Sequence, residues 1–191
     1  MKHWKRLSLL TVAVLAAALA ARMMTPLPNS GQEVVFRSGN ITVTRQDVEK
    51  TIQSYQSAQS IKPEIQVPTE EEALNIQVKA KLLEEKIWQY NITLTPEEEE
   101  DAYHDTEDAW QALKEDAAAG SEGAREVKEM MEQYIAAAGW SEEEYIQFTN
   151  EGVASLILRQ KLVDQEYGGD YDRLEAELDA ECARLLGENA S

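Results

Sequence analysis

Val34, Val35 and Phe36 form a short strand-like run, Ser38-Gly39-Asn40 supplies a turn, and Ile41 and Val43 alternate with Thr42 and Thr44. Period-two alternation on either side of a glycine turn predicts a β-hairpin. Thr44 followed by Asp47 has the spacing of a helix entry, and Val48, Ile52 and Tyr55 then step at helical spacing, predicting a helix over roughly 45–60. Ile61 to Pro68 reads as a proline-punctuated loop. Thr69 is placed to cap a second helix whose first turn holds Glu70, Glu71 and Glu72. Its stripe is Ile76, Ala80, Leu83, Ile87 and Tyr90, widened by Leu74, Val78 and Leu82. So broad an apolar face predicts a central helix, roughly 33 Å long.

Thr95-Pro96 starts a third helix, with Tyr103, Thr106, Trp110 and Leu113 as a thin stripe ending before Gly120. Val127, Met130, Met131, Tyr134, Ile135 and Ala138 mark a fourth, stopped by Gly139. Ser141 and Glu144 make a capping box for the longest helix, buried through Tyr145, Phe148, Leu156, Ile157, Leu158, Leu162 and Val163 until Gly168-Gly169. Leu174, Leu178, Cys182, Leu185 and Leu186 define a last helix, which Gly187 is expected to end. The predicted fold is mostly α, a multi-helix domain over 33–187 with a short N-terminal β-hairpin.

Ahead of that domain, Lys2, Lys5 and Arg6 precede an apolar run from Leu7 to Ala20 that closes on Ala18-Leu19-Ala20. A basic head, a short apolar middle and a small-residue exit site together read as a secretory signal over 1–20, with Ala18 and Ala20 as the small residues of its cleavage site. The run is shorter than the roughly 20 residues that cross a bilayer. The competing reading retains the segment as a membrane tether, since Ala21, Met23 and Met24 extend the apolar stretch across Arg22. Residues 21–32, with Pro26 and Pro28, are a linker. The protein is therefore expected outside the cytoplasm, secreted or in the cell envelope, and the style of the signal is bacterial.

Charge sharpens this picture. The whole chain carries −18, but residues 1–22 hold four bases and no acid, so residues 23–191 carry −22. Such density repels nucleic acid and anionic lipid, and no basic cluster follows the signal; a nucleic-acid partner is excluded. Cationic or unfolded basic segments would be attracted. Cys182 is the only cysteine, so no disulfide can form within the chain, and its place on an apolar stripe makes it a buried thiol. Sequons at Asn40, Asn91 and Asn189 matter only in a host that glycosylates.

Catalytic chemistry finds little support. His104 is the only histidine after the signal, so no histidine pair exists for zinc, and no metal site is expected. Glu97 to Asp101 complements a helix dipole rather than wrapping a cation. No G-x-S-x-G elbow or phosphate loop occurs, and no cofactor or enzymatic activity is expected. Met130, Met131 and Tyr134, with Trp110 and Trp140, could line an adaptable apolar groove for peptides. Each of them could equally pack small helices onto long ones.

The stretches EVVFRSGNITVTRQDVEK from Glu33, VKAKLLEEKIWQYNITLTPEEEEDAY from Val78, and Gly139-Trp140-Ser141-Glu142-Glu143-Glu144-Tyr145 before the long helix carry a resemblance. In order and local wording they are similar to the N-terminal chaperone domain of SurA/PrsA-type foldases, over most of 33–167. Gly39, Ile41, Thr44 and Asp47 stand at the family's opening positions, and Leu82, Leu83, Ile87, Ile92, Leu94, Thr95 and Glu98 match its helix–break–helix in kind. Such foldases usually carry a parvulin domain after the long helix, whereas Asp170–Ser191 is too short for one; isomerase activity does not carry over. The resemblance implies an exported, non-catalytic chaperone-like module that binds unfolded or exported polypeptides, its final helix packing back on the hairpin. An envelope adaptor with one dedicated folded partner is the alternative.

Overall fold

The computed structural model describes residues 33–189, and the signal and linker segments with Ala18 and Ala20 lie outside them. Among the described residues, two antiparallel strands, β1 (Val34–Ser38) and β2 (Ile41–Thr44), precede six helices. These are α1 (Arg45–Ile61), α2 (Glu70–Gln89), α3 (Pro96–Ala118), α4 (Glu122–Ala138), α5 (Glu142–Glu166) and α6 (Tyr171–Asn189). The fold is mostly α with the expected hairpin. Within the helical domain expected over 33–187, the chain forms two compact units, and the division falls inside α1 and α5.

The hairpin unit comprises residues 33–53, Val67–Thr93 and 156–189. Gly39 turns the chain at φ +56°, a left-handed backbone that glycine adopts without a Cβ penalty. Ser38 pairs with Ile41 and Phe36 with Val43, and a register shift between Val34 and Phe36 takes Val34 to Thr44. This register sends Phe36, Ile41 and Val43 inward onto Val48, Val78, Leu82, Leu162, Val163, Leu174 and Leu178. α2 is the element that packs on both β2 and α6. The final helix thus shares its core with the strand pair.

Thr69 and Glu72 close a reciprocal capping box at the start of α2: the Thr69 N–H donates to Glu72 (2.8 Å) and the Glu72 N–H to Thr69 Oγ1 (3.2 Å). The buried centre of α2 is displaced from the expected stripe. Ala73, Gln77, Val78, Leu82 and Lys86 are buried, whereas Tyr90, expected inside, is exposed. Two polar residues explain the displacement. Gln77 Nε2 donates to Thr51 Oγ1 at 2.6 Å, and Lys86 Nζ donates to Glu177 Oε1 at 2.5 Å. Partners waiting in the interior allow polar side chains where pattern alone assigns solvent. Ion pairs from Lys79 to Glu175 and Asp179, and from Arg159 to Glu175, hold α6 alongside.

The aromatic unit comprises Ser54–Gln66 and Leu94–Ser155. Thr95 and Glu98 cap α3 reciprocally, with Pro96 in its first turn, where a missing N–H costs nothing. Ala102, Thr106, Trp110, Leu113 and Ala117 form its buried line, so Tyr103, placed in the stripe by sequence, lies one position off and is exposed. α4 packs against α3 and stops at Gly139, φ +71°. Ser141 and Glu144 cap α5 as expected. Two expectations fail along the later helices. Leu156 is 38% exposed rather than core, and Gly187 sits within α6, which continues to Asn189.

Candidate functional site

The five residues expected to line a groove all lie in the aromatic unit, three of them as interior. Trp110 is 2% exposed, Met131 1% and Tyr134 3%, while Met130 and Trp140 are half-buried. Trp110 meets Tyr145 edge-on, centroids 5.5 Å apart. Trp140 meets Tyr134 edge-on at 5.8 Å and tilts onto Phe148 at 4.5 Å. Such aromatic geometry belongs to packed cores. Trp110, Met131 and Tyr134 are thus covered by neighbouring side chains, whereas Met130 and Trp140 keep part of their surface.

Electrostatics agree with that closure. Burial pushes the Tyr145 phenol up to about 12, partly offset by Thr149 nearby. Burial also raises Tyr134, against a lowering influence of Ser54. At the rim, Lys114 lies 5.8 Å from the Trp110 ring centroid and donates to Glu142 Oε1 at 2.7 Å. That bond, with a smaller contribution from Trp110, holds the Glu142 carboxyl below the usual carboxylate range. The Trp110 N–H itself falls short of hydrogen-bond geometry with any acceptor.

Other candidate chemistry is equally placed. His104 is exposed on α3, with Glu100 Oε1 3.7 Å away and Tyr103 edge-on at 6.1 Å. Cys182 is buried against the Asn75 carbonyl (3.7 Å) and Asn75 Oδ1 (3.5 Å). Desolvation raises its thiol, keeping it protonated and a poor nucleophile. Among the described residues, no group of three His, Cys, Asp or Glu side chains could hold a metal ion, and no helix is long and apolar enough to cross a membrane.

What the structure leaves open lies at the end of α2. Trp88 is 75% exposed, and Tyr90, the residue that caps the helix, is also exposed. Ile87 beside it turns into the hairpin core. The helical step of about 100° per residue then carries Trp88 off that face. The cap is firm: the Tyr90 N–H donates to Lys86 O at 3.0 Å, Asn91 turns left-handed at φ +53°, and the Ile92 N–H returns to Ile87 O at 2.9 Å. Ile92 is buried behind the turn. Glu84 and Glu85 precede Trp88 by one turn, on the same side of the helix. Glu85 accepts a hydrogen bond from Asn40 Nδ2 at 3.4 Å, tying it to the hairpin turn. Behind them, Lys86 is drawn into Glu177, to which the Tyr167 hydroxyl also donates at 3.1 Å.

Trp88 was not among the residues the sequence singled out, although its position off the α2 stripe was the signal available. Tyr90 was assigned to the buried stripe because its spacing from Ile87 fits, but the helix ends there and the cap turns it outward. Comparison with protein-family models, with curated proteins and with solved structures finds no match for this chain.

Proposed function

We propose that the protein is an exported, non-catalytic holder of polypeptide, chaperone-like in that it shields unfolded or exported chains without ATP or isomerisation. One observation carries the reading: Trp88, the largest apolar side chain type, stands three-quarters exposed at a rigidly capped helix end. An indole held outward on an ordered helix loses little freedom on contact and offers a large apolar face. The strong negative charge of residues 23–191 keeps a loaded complex soluble. The secretion-type leader and the chaperone-domain wording of 33–167 are consistent with such work outside the cytoplasm.

Light scattering tests the proposal. A reduced, aggregation-prone client mixed with the full chain should scatter later and less than alone, and the effect should shrink with Trp88→Ala. Scattering that the full chain leaves unaltered at several-fold molar excess would defeat it.

A further inference from the structure

We infer that Asn91 is an N-glycosylation acceptor and that Trp88 and Tyr90 form the platform on which its first sugar rests. The inference goes beyond polypeptide holding and does not depend on it. Sequons stand at Asn40, Asn91 and Asn189, and their surroundings separate them. Asn91-Ile92-Thr93 follows the end of α2 and lies outside helix and strand. Asn91 and Thr93 are exposed while Ile92 between them is buried, so the acceptor and its threonine both sit at the surface of one turn. That is the setting in which a sequon is used. Asn91 takes φ +53°, a left-handed backbone that asparagine tolerates better than most residues. Among the described residues, no hydrogen bond holds its side-chain amide. Asn40 is less well placed: its Nδ2 already donates to Glu85 at 3.4 Å, and Thr42 is half-buried in β2 opposite Arg37. Asn189 ends α6, and its Ser191 lies outside the described residues.

The aromatic residues supply a second, independent feature. Trp88 stands three positions before Asn91 and Tyr90 one position before, 75% and 44% exposed. The turn closes position 91 onto position 88, because the Asn91 N–H donates to Trp88 O at 3.0 Å. A pyranose presents C–H bonds to the electron-rich face of an indole while its hydroxyls stay in water, surroundings that suit Trp and Tyr at a wet edge. A neutral sugar also meets no repulsion from the −22 charges of residues 23–191. The co-substrate is a lipid-linked oligosaccharide. Asn91 Nδ2 forms the bond to C1 of its reducing-end sugar, and the C1–O bond to the lipid diphosphate breaks. The diphosphate leaves with the electron pair, and one amide proton passes to solvent.

The experiment expresses the full chain in cells whose export pathway supplies lipid-linked oligosaccharide. Cell-associated and secreted pools are both read by intact mass and glycopeptide mapping. Asn91 should be occupied several-fold more than Asn40, with the added mass removed by peptide N-glycosidase. Thr93→Ala should abolish the modification while leaving Asn91 in its turn, and Asn40→Gln should not change it. The modified parent should melt about 2 °C above Thr93→Ala, the size of one aromatic contact in a chain of this length. That gap should vanish when both carry Trp88→Ala. An unmodified Asn91, equal occupancy of Asn40 and Asn91, or a gap that survives Trp88→Ala would overturn the assignment. The sugar would cover the indole proposed to meet clients, so the modified chain should delay client aggregation less than Thr93→Ala does. Occupied Asn91 with equal client protection would support the glycan site and overturn Trp88 as the client contact.

Discussion

Met131 distinguishes a packed interior from a peptide groove, and its truncation gives a measurable answer. Met131→Ala removes a methylene, a sulfur and a methyl from a site that is 1% exposed. Transfer of three such groups accounts for about 2.4 kcal/mol at ~0.8 kcal/mol each. The cavity left among Trp110, Leu113, Ala124, Tyr145 and Ile146 adds to it, so the loss should be about 3 kcal/mol. Methionine neighbours adapt, and Met130 packs against the cluster, which keeps the figure away from the upper end of the core range. With a urea dependence of about 2 kcal/mol per molar, the unfolding midpoint should fall by about 1.5 M. Near-UV dichroism is the appropriate probe, since the ring pairs of the aromatic unit supply its signal. Met130→Ala, half-buried, should cost about 1 kcal/mol. A Met131→Ala shift below about 0.25 M, the size expected of a surface position, would refute the interior assignment and restore the groove.

Other expectations follow from particular residues. Leu162→Ala should cost about 3 kcal/mol, and Leu156→Ala, on the same helix but partly exposed, less than about 1 kcal/mol; paired urea melts compare them. Gly139→Ala should lose about 1 kcal/mol because φ +71° strains an L-residue. Gly123→Ala, in open space on α4 with no left-handed backbone, should gain about 0.5 kcal/mol; opposite signs in thermal melts are the check. The hydrogen bond from Lys86 holds the Glu177 carboxyl below its usual range, against a smaller opposing influence of burial. Its stabilisation is therefore complete above the ordinary carboxylate range and lost as pH falls through the lowered folded value. Glu177→Gln should lower the melting temperature at neutral pH and match the parent near about pH 2, where both carry a neutral side chain. A constant gap across the pH range would contradict the Lys86–Glu177 pairing.

Most of the fold was legible because local signals agreed with one another. Thr69, Thr95 and Ser141 all accept the backbone bonds that start helices, and Gly39 and Gly139 adopt the positive φ that turns and helix ends require. The errors arose where tertiary partners decide. Lys86 and Gln77 are buried only because Glu177 and Thr51 await them, 91 and 26 residues away along the chain. Their burial rotates α2 so that the expected stripe lies at the edge. Gly187 failed as a stop because a glycine in the last turn of a helix is only a weak breaker. The aromatic unit shows a different limit: Trp110, Met131 and Tyr134 are buried and Met130 and Trp140 half-buried, and sequence cannot distinguish apolar residues that face one another from those that face a cavity. Trp88 was legible in principle, being the one large residue on the polar side of α2.

Site-specific photocrosslinking tests polypeptide holding at the α2 end most directly. A photoreactive residue at Gln89, exposed beside Trp88, and another at Gln111, exposed on α3, would each be irradiated with an unfolded cationic client. Strong adducts through position 89 and background at 111 are the expected result. Equal yields at the two positions, or none at 89, would contradict it.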